Sequence, residues 1–136
     1  MRNLLSFWIV VALAAPAFGR HKQQLHPELC EIKTVEVTGN SESATVVRRE
    51  IENRTWLKLS PSAEKADAVL EVAESKSTRG FPRATEQTTV SGNLIRKGEI
   101  VWSGSASFGE GVFNSGAGSA VKILLAQLKG DAGGCK

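Results

Sequence analysis

The sequence predicts an α+β fold: a two-layer sandwich in which a mixed, mainly antiparallel sheet carries two helices on one face, in the order β-α-β-β-β-β-α. Three observations carry that prediction. Ile100 to Phe108 alternates, with Ile100, Trp102, Ala106 and Phe108 on one side and Val101, Ser103, Ser105 and Ser107 on the other, so one sheet face is buried and the other is serine-lined and wet. Ala117, Ala120, Val121, Leu124, Leu125 and Leu128 recur at the helical period and mark an amphipathic helix packed on that sheet. The run Ala66-Asp67-Ala68-Val69-Leu70-Glu71-Val72-Ala73 is short, apolar and β-prone, and reads as the central strand.

Ahead of these elements, Arg2, the apolar stretch Leu4 to Ala15, Pro16 and the small-residue exit Ala17-Phe18-Gly19 follow the order of a secretory signal peptide over residues 1–19. The stretch is shorter than the ~18 residues of a spanning helix, so a membrane anchor is the weaker reading, and no transmembrane segment remains after cleavage. Residues 20–29 read as a polar, flexible leader and residues 30–136 as a single α+β domain. The expected destination is periplasmic or extracellular. In such an oxidising compartment the only two cysteines, Cys30 and Cys135, are expected to pair, tying the last helix to the first strand.

Within the domain, the β-branched alternation from Glu31 to Thr38 predicts the first strand, and Gly39-Asn40-Ser41 a turn. Ser41 or Ser43 caps a helix over about Glu42 to Asn53, with Ala44, Val47 and Ile51 on its apolar stripe. Arg48 and Arg49 read as solvated charge rather than a docking patch. Thr55 to Leu59 is the second strand, with Leu57 and Leu59 on one face, stopped by Ser60-Pro61-Ser62. After the central run, Glu74 to Thr85 reads as a long loop, and Thr85 to Ile95 as a strand turning through Arg96-Lys97-Gly98-Glu99 into Ile100 to Phe108. A glycine-rich connection, Gly109 to Ser119, leads to the final helix, which Gly130 ends.

The residues exclude more chemistry than they suggest. A net charge of +3 is too small for a nucleic-acid surface. Both histidines, His21 and His26, lie in the leader without an acidic or thiolate partner and read as solvated, so no metal site is expected. From Cys30 onward the aspartates are Asp67 and Asp131 alone and there is no histidine, so a Ser-His-Asp or Cys-His relay has no base unless the leader supplies one. Gly116-Ala117-Gly118 lacks the lysine and the acidic partner of nucleotide loops and reads as a connection; no cofactor is expected. Asn53-Arg54-Thr55 matches a glycosylation sequon that matters only in a eukaryotic secretory pathway. One loop suggests contact. Arg79-Gly80-Phe81-Pro82-Arg83 sets an aromatic between two arginines, suited to an anionic or amphiphilic ligand through Arg79, Phe81 and Arg83. The competing reading, which the ordinary preference of Phe for burial favours, packs Phe81 back on the core.

Two stretches resemble a known group. Lys65-Ala66-Asp67-Ala68-Val69-Leu70-Glu71-Val72 is similar to a strand of exported bacterial cell-envelope proteins, and Lys97-Gly98-Glu99-Ile100-Val101-Trp102-Ser103-Gly104 resembles their G-x-[IVL]-[IVL]-W-x-G return strand. Such domains occur in small envelope lipoproteins, including the lipopolysaccharide-assembly lipoprotein and the curli-export pore component, and the likeness spans roughly Ile32 to Lys129. This chain lacks their lipidated cysteine, which puts anchoring in doubt. The resemblance implies a non-catalytic binding or assembly module of the envelope, partnered by an envelope protein. The alternative is a binding protein for a lipid or polysaccharide through the 79–83 loop.

Overall fold

A computed structural model describes residues 26–79, 85–109 and 116–135. The expected signal peptide lies outside them, as does most of the leader. The elements are β1 (Thr34–Thr38), α1 (Glu42–Arg54), β2 (Lys58–Leu59), β3 (Ala68–Arg79), β4 (Thr85–Arg96), β5 (Glu99–Gly109) and α2 (Gly116–Asp131). They form the two-layer α+β architecture and the β-α-β-β-β-β-α order that the patterning predicts. The sheet order is β2-β1-β3-β4-β5, which puts the Ala66–Ala73 run at its centre. β1 is parallel to both β2 and β3, whereas β3–β4 and β4–β5 are antiparallel.

Local chemistry sets each end of α1. Gly39 turns the chain at φ +134°, where an added Cβ would sit 2.7 Å from the Val72 carbonyl oxygen. Ser41 then caps the helix, its Oγ accepting from the Ala44 N–H at 3.2 Å. The Ser43 N–H donates instead to Glu74 Oε2 of β3 at 3.1 Å, so a sheet carboxylate meets the positive end of the helix. Ala44, Val46, Val47 and Ile51 are buried toward the sheet and α2. Arg48 departs from its expected solvated place. It is half-buried and donates through Nη2 to the Val37 and Gly39 carbonyls at 3.0 and 2.9 Å, clamping the β1–α1 turn.

α2 lies on β4 and β5 and buries the whole predicted stripe, including Leu124, Leu125 and Leu128. Each fully buried leucine contributes ~1.5–3 kcal/mol. Gly92 of β4 leaves room for the Leu124 methyl, which a Cβ there would meet at 3.3 Å. On β5 the Trp102 ring lies across Gly104, where an added Cβ would be 2.6 Å from Cη2 and Cζ2. Its indole Nε1–H donates to the buried Asp131 carboxylate at 2.9 Å. The Trp-x-Gly spacing therefore records a ring laid over a bare backbone and pinned to the end of α2.

Four details differ from the patterning. First, Glu74 to Thr85 is not a long loop. The β3–β4 ladder continues to Arg79 opposite Thr85, because paired backbone suffices to extend a hairpin whose side chains are polar on both faces. Second, Ile100 does not share a face with Trp102. Leu94 pairs with Trp102 and Ile95 with Ile100, leaving Val101 as an extra residue in a bulge that turns Ile100 to the opposite face. Third, β2 is only Lys58–Leu59. Thr55 and Trp56 are engaged elsewhere, through Thr55 Oγ1–H to the Ile51 carbonyl (2.6 Å) and Trp56 Nε1–H to the Ile32 carbonyl (2.7 Å). Leu57 is buried while Leu59 sits at the exposed edge. Fourth, the folded body starts before residue 30. Pro27–Glu31 form a 3-10 helix, Leu29 is buried, and the His26 N–H donates to the Asp131 carbonyl at 2.6 Å.

Candidate functional site

Both helices pack on one face of the sheet, and among the described residues no element covers the other. Alternation places Glu71 and Ala73 of β3, Thr89, Ser91 and Asn93 of β4, and Ser103, Ser105 and Ser107 of β5 on that open face. Its polar groups are organised in cross-strand pairs. Ser103 Oγ–H donates to Asn93 Oδ1 at 2.8 Å, and the Thr89 and Ser107 hydroxyls are 2.7 Å apart. At one end the row becomes apolar. Val69 stands opposite Ile95, and Ile95 opposite Ile100, which is 61% exposed. The bulge at Val101 builds this row by turning Ile100 outward.

Just before β3, Asp67 stitches this end of the sheet together. Its Oδ2 accepts from the Lys33 and Thr34 N–H groups at 2.8 and 3.2 Å, and its own N–H donates to Thr34 Oγ1 at 3.0 Å. The Lys33 and Thr34 backbone hydrogen bonds hold the carboxyl below the ordinary aspartate pKa. Lys33 and Thr34 thereby meet the Ala-Asp-Ala-Val-Leu stretch, so the aspartate there is a structural acceptor.

A cleft of about 530 Å³ opens beyond β1 and β2, lined by Glu36, Val37, Arg48, Leu59, Ser60 and Pro61. One guanidinium and one carboxylate line it, and Glu36 Oε2 is buried with no hydrogen-bond partner. The Ser60 hydroxyl is committed to the Ser62 carbonyl at 3.0 Å, and neither histidine nor cysteine lines the walls. The lining thus assembles no nucleophile with a base. Among the described residues no three His, Cys, Asp or Glu side chains converge as a metal site.

The remaining sequence-selected residues fall at two ends. Cys30 and Cys135 are joined in a disulfide beside Ala132, with Gly133 and Gly134 at φ +82° and +77° turning the chain back toward the 3-10 helix that holds Cys30. Arg79 ends β3 at the far tip of the β3–β4 hairpin, opposite Thr85. Phe81 and Arg83 lie outside the described residues, as does most of the glycine-rich connection; its last glycines, Gly116 and Gly118, open α2. Sequence reading missed Glu52, Arg48 and Gln127. Each hydrogen-bonds a backbone group of another element, at Leu59, at Val37 and Gly39, and at Ser105, and nothing in local patterning marks them.

Neither a protein-family model nor a curated relative matches the chain. Among solved structures, uncharacterized lipoprotein B from Nitrosomonas europaea superposes at a TM-score of 0.57 with 14% identity, covering 85% of this chain and 93% of that one. The dodecamer of a PelC point variant from Paraburkholderia phytofirmans gives 0.53 with 16% identity, covering 71% and 88%. A second PelC dodecamer structure from the same organism gives 0.51 with 17% identity, covering 76% and 88%. At these identities the likeness is one of fold. The chain shares its fold with that lipoprotein and with PelC, and no particular family is singled out.

Proposed function

We propose that the chain is an exported cell-envelope module that binds or assembles with another envelope component through the open face of its sheet, without catalysis. The observation that carries this reading is the one-sided packing. A five-stranded sheet presents ordered Ser, Thr and Asn side chains and the Val69–Ile95–Ile100 row, with both helices on its other side. The expected signal peptide and the fold shared with a lipoprotein support export. The test is photo-crosslinking in the native envelope. A crosslinker at Ser91, on the open face, captures a defined envelope protein, whereas one at Thr45, exposed on α1, does not. Equal capture from both positions, or none from Ser91, refutes the open face as the docking surface.

A second reading is supported by the extended hairpin. The β3–β4 ladder carries Ser75 to Thr78 outward and ends at Arg79, and Phe81 and Arg83 follow closely in the sequence. A ligand with anionic and apolar parts, a lipid or a polysaccharide, is the matching chemistry. Replacing Arg79, Phe81 and Arg83 together by alanine then abolishes flotation with anionic vesicles while leaving capture from Ser91 unchanged.

A further inference from the structure

We infer that β5 is a self-pairing edge, through which two copies of this chain join in an antiparallel β5–β5 contact. The two edges of the sheet are built differently. At β2 the edge is two residues long, its Leu59 N–H is taken by Glu52 Oε1 at 2.9 Å, and Pro61 follows. Those are devices that blunt an edge. At the other edge, β5 runs for 11 residues with no strand beside it among the described residues. Between Ile100 and Gly109 it carries neither a charge nor a proline. Two such strands laid antiparallel oppose no like charges there.

Exposed apolar side chains gather along the same edge. The large ones among the described residues are Leu59, Ile100, Phe108 and Ile123, and three of these belong to β5 or α2. Phe108 is 38% exposed on the helix side of β5. Ile123, 39% exposed, lies one helical turn before Gln127, the α2 residue that reaches the edge. Pairing of the two strands therefore also brings Phe108 and Ile123 of each copy toward the second copy. One group now closes the edge. Gln127 Nε2–H donates to the Ser105 carbonyl at 3.1 Å, while its own Oε1 is buried without a partner. The amide is a temporary cover for a carbonyl that faces away from β4, and a strand N–H replaces it at the loss of one hydrogen bond.

Because the β2 edge is closed, β5 cannot add to it, and head-to-tail growth is excluded. The contact is isologous, with twofold symmetry, and the product is a closed dimer. It joins the two open faces into one continuous ten-stranded surface, whatever binds there.

The test is sedimentation equilibrium of the disulfide-intact mature protein up to on the order of 100 μM. The wild type sediments as a dimer. Ser105→Pro removes an N–H that points away from β4, as its carbonyl does, and the β4 ladder keeps its bonds. Ile123→Glu places a charge on an exposed helix position. Each variant weakens self-association at least about tenfold, with the far-ultraviolet circular dichroism of the wild type retained. A monomeric wild type, a dimer that both variants leave intact, or an open-ended assembly overturns the inference. If Ser105→Pro fails to fold, Ile123→Glu decides alone.

Discussion

Removal of the Cys30–Cys135 bridge has an effect whose size follows from chain connectivity. The two residues are 105 apart in sequence. A cross-link closing a loop of that length lowers the entropy of the unfolded chain by an amount worth about 4.7 kcal/mol at 25 °C. The folded state has little to lose directly. Near the bridge the ends are already held, by the His26 N–H on the Asp131 carbonyl at 2.6 Å and by Leu29 and Ala132, both buried. A domain of this size has ~5–15 kcal/mol in total, so the bridge is a large share of it. The assay is equilibrium unfolding in urea of the wild type and the Cys30→Ala/Cys135→Ala double variant. The expected loss is ~3–5 kcal/mol, accompanied by a larger m-value because the unlinked denatured chain exposes more surface. Reductant lowers the wild type to the level of the variant and leaves the variant unchanged. A loss under ~1 kcal/mol, or an unchanged m-value, refutes the argument that the bridge acts through the unfolded chain.

Two further outcomes are expected. Gly104→Ala drives a methyl to within 2.6 Å of Trp102, and either the indole tilts off Asp131 or β5 shifts; thermal unfolding should show a destabilisation of ~1–3 kcal/mol with blue-shifted or broadened Trp102 near-ultraviolet signals. Asp67, whose pKa is lower in the folded than in the unfolded chain, stabilises fully above the ordinary aspartate value near ~3.9, and that stabilisation disappears as pH falls through the lower folded value; Asp67→Asn should be less stable at neutral pH and flatten the acid limb, as a pH series of unfolding midpoints shows.

The architecture was legible in the sequence because burial imposes period. Leu124, Leu125 and Leu128 announce α2, and Trp102 and Ala106 announce the inner side of β5, through spacing alone. Where a backbone irregularity intervenes, spacing misleads. The extra residue at Val101 inverts Ile100, and nothing in Ile-Val-Trp marks a bulge. Polar hairpin stems fail for the converse reason. Ser75 to Thr78 bury nothing, so no hydrophobic alternation records their pairing with Glu86 to Thr89. The candidate surface was foreseen in part. Spacing alone puts Ser103, Ser105 and Ser107 on a wet face, but the Val69–Ile95–Ile100 row needs the β3–β4–β5 register, a tertiary fact. The edge chemistry of Glu52 and Gln127 was invisible, since each side chain answers a backbone group that only the finished sheet leaves bare.

The place of β1 governs the order in which the sheet can close. Strands β3, β4 and β5 follow one another through short connections and pair with their sequence neighbours, so that meander assembles from local contacts. β1 comes first in the chain yet lies between β2 and β3, both of which come later. Its pairing with β3 spans α1, β2 and the turns between them, and long-range parallel pairing is slow. A chain that emerges N-terminus first therefore holds the β3-side edge of β1 unpaired until β3 arrives, even once β2 has joined the other edge. Until then that bare edge is the one open to misplaced pairing, and Cys135, which follows every strand in the chain, closes on Cys30 only afterwards.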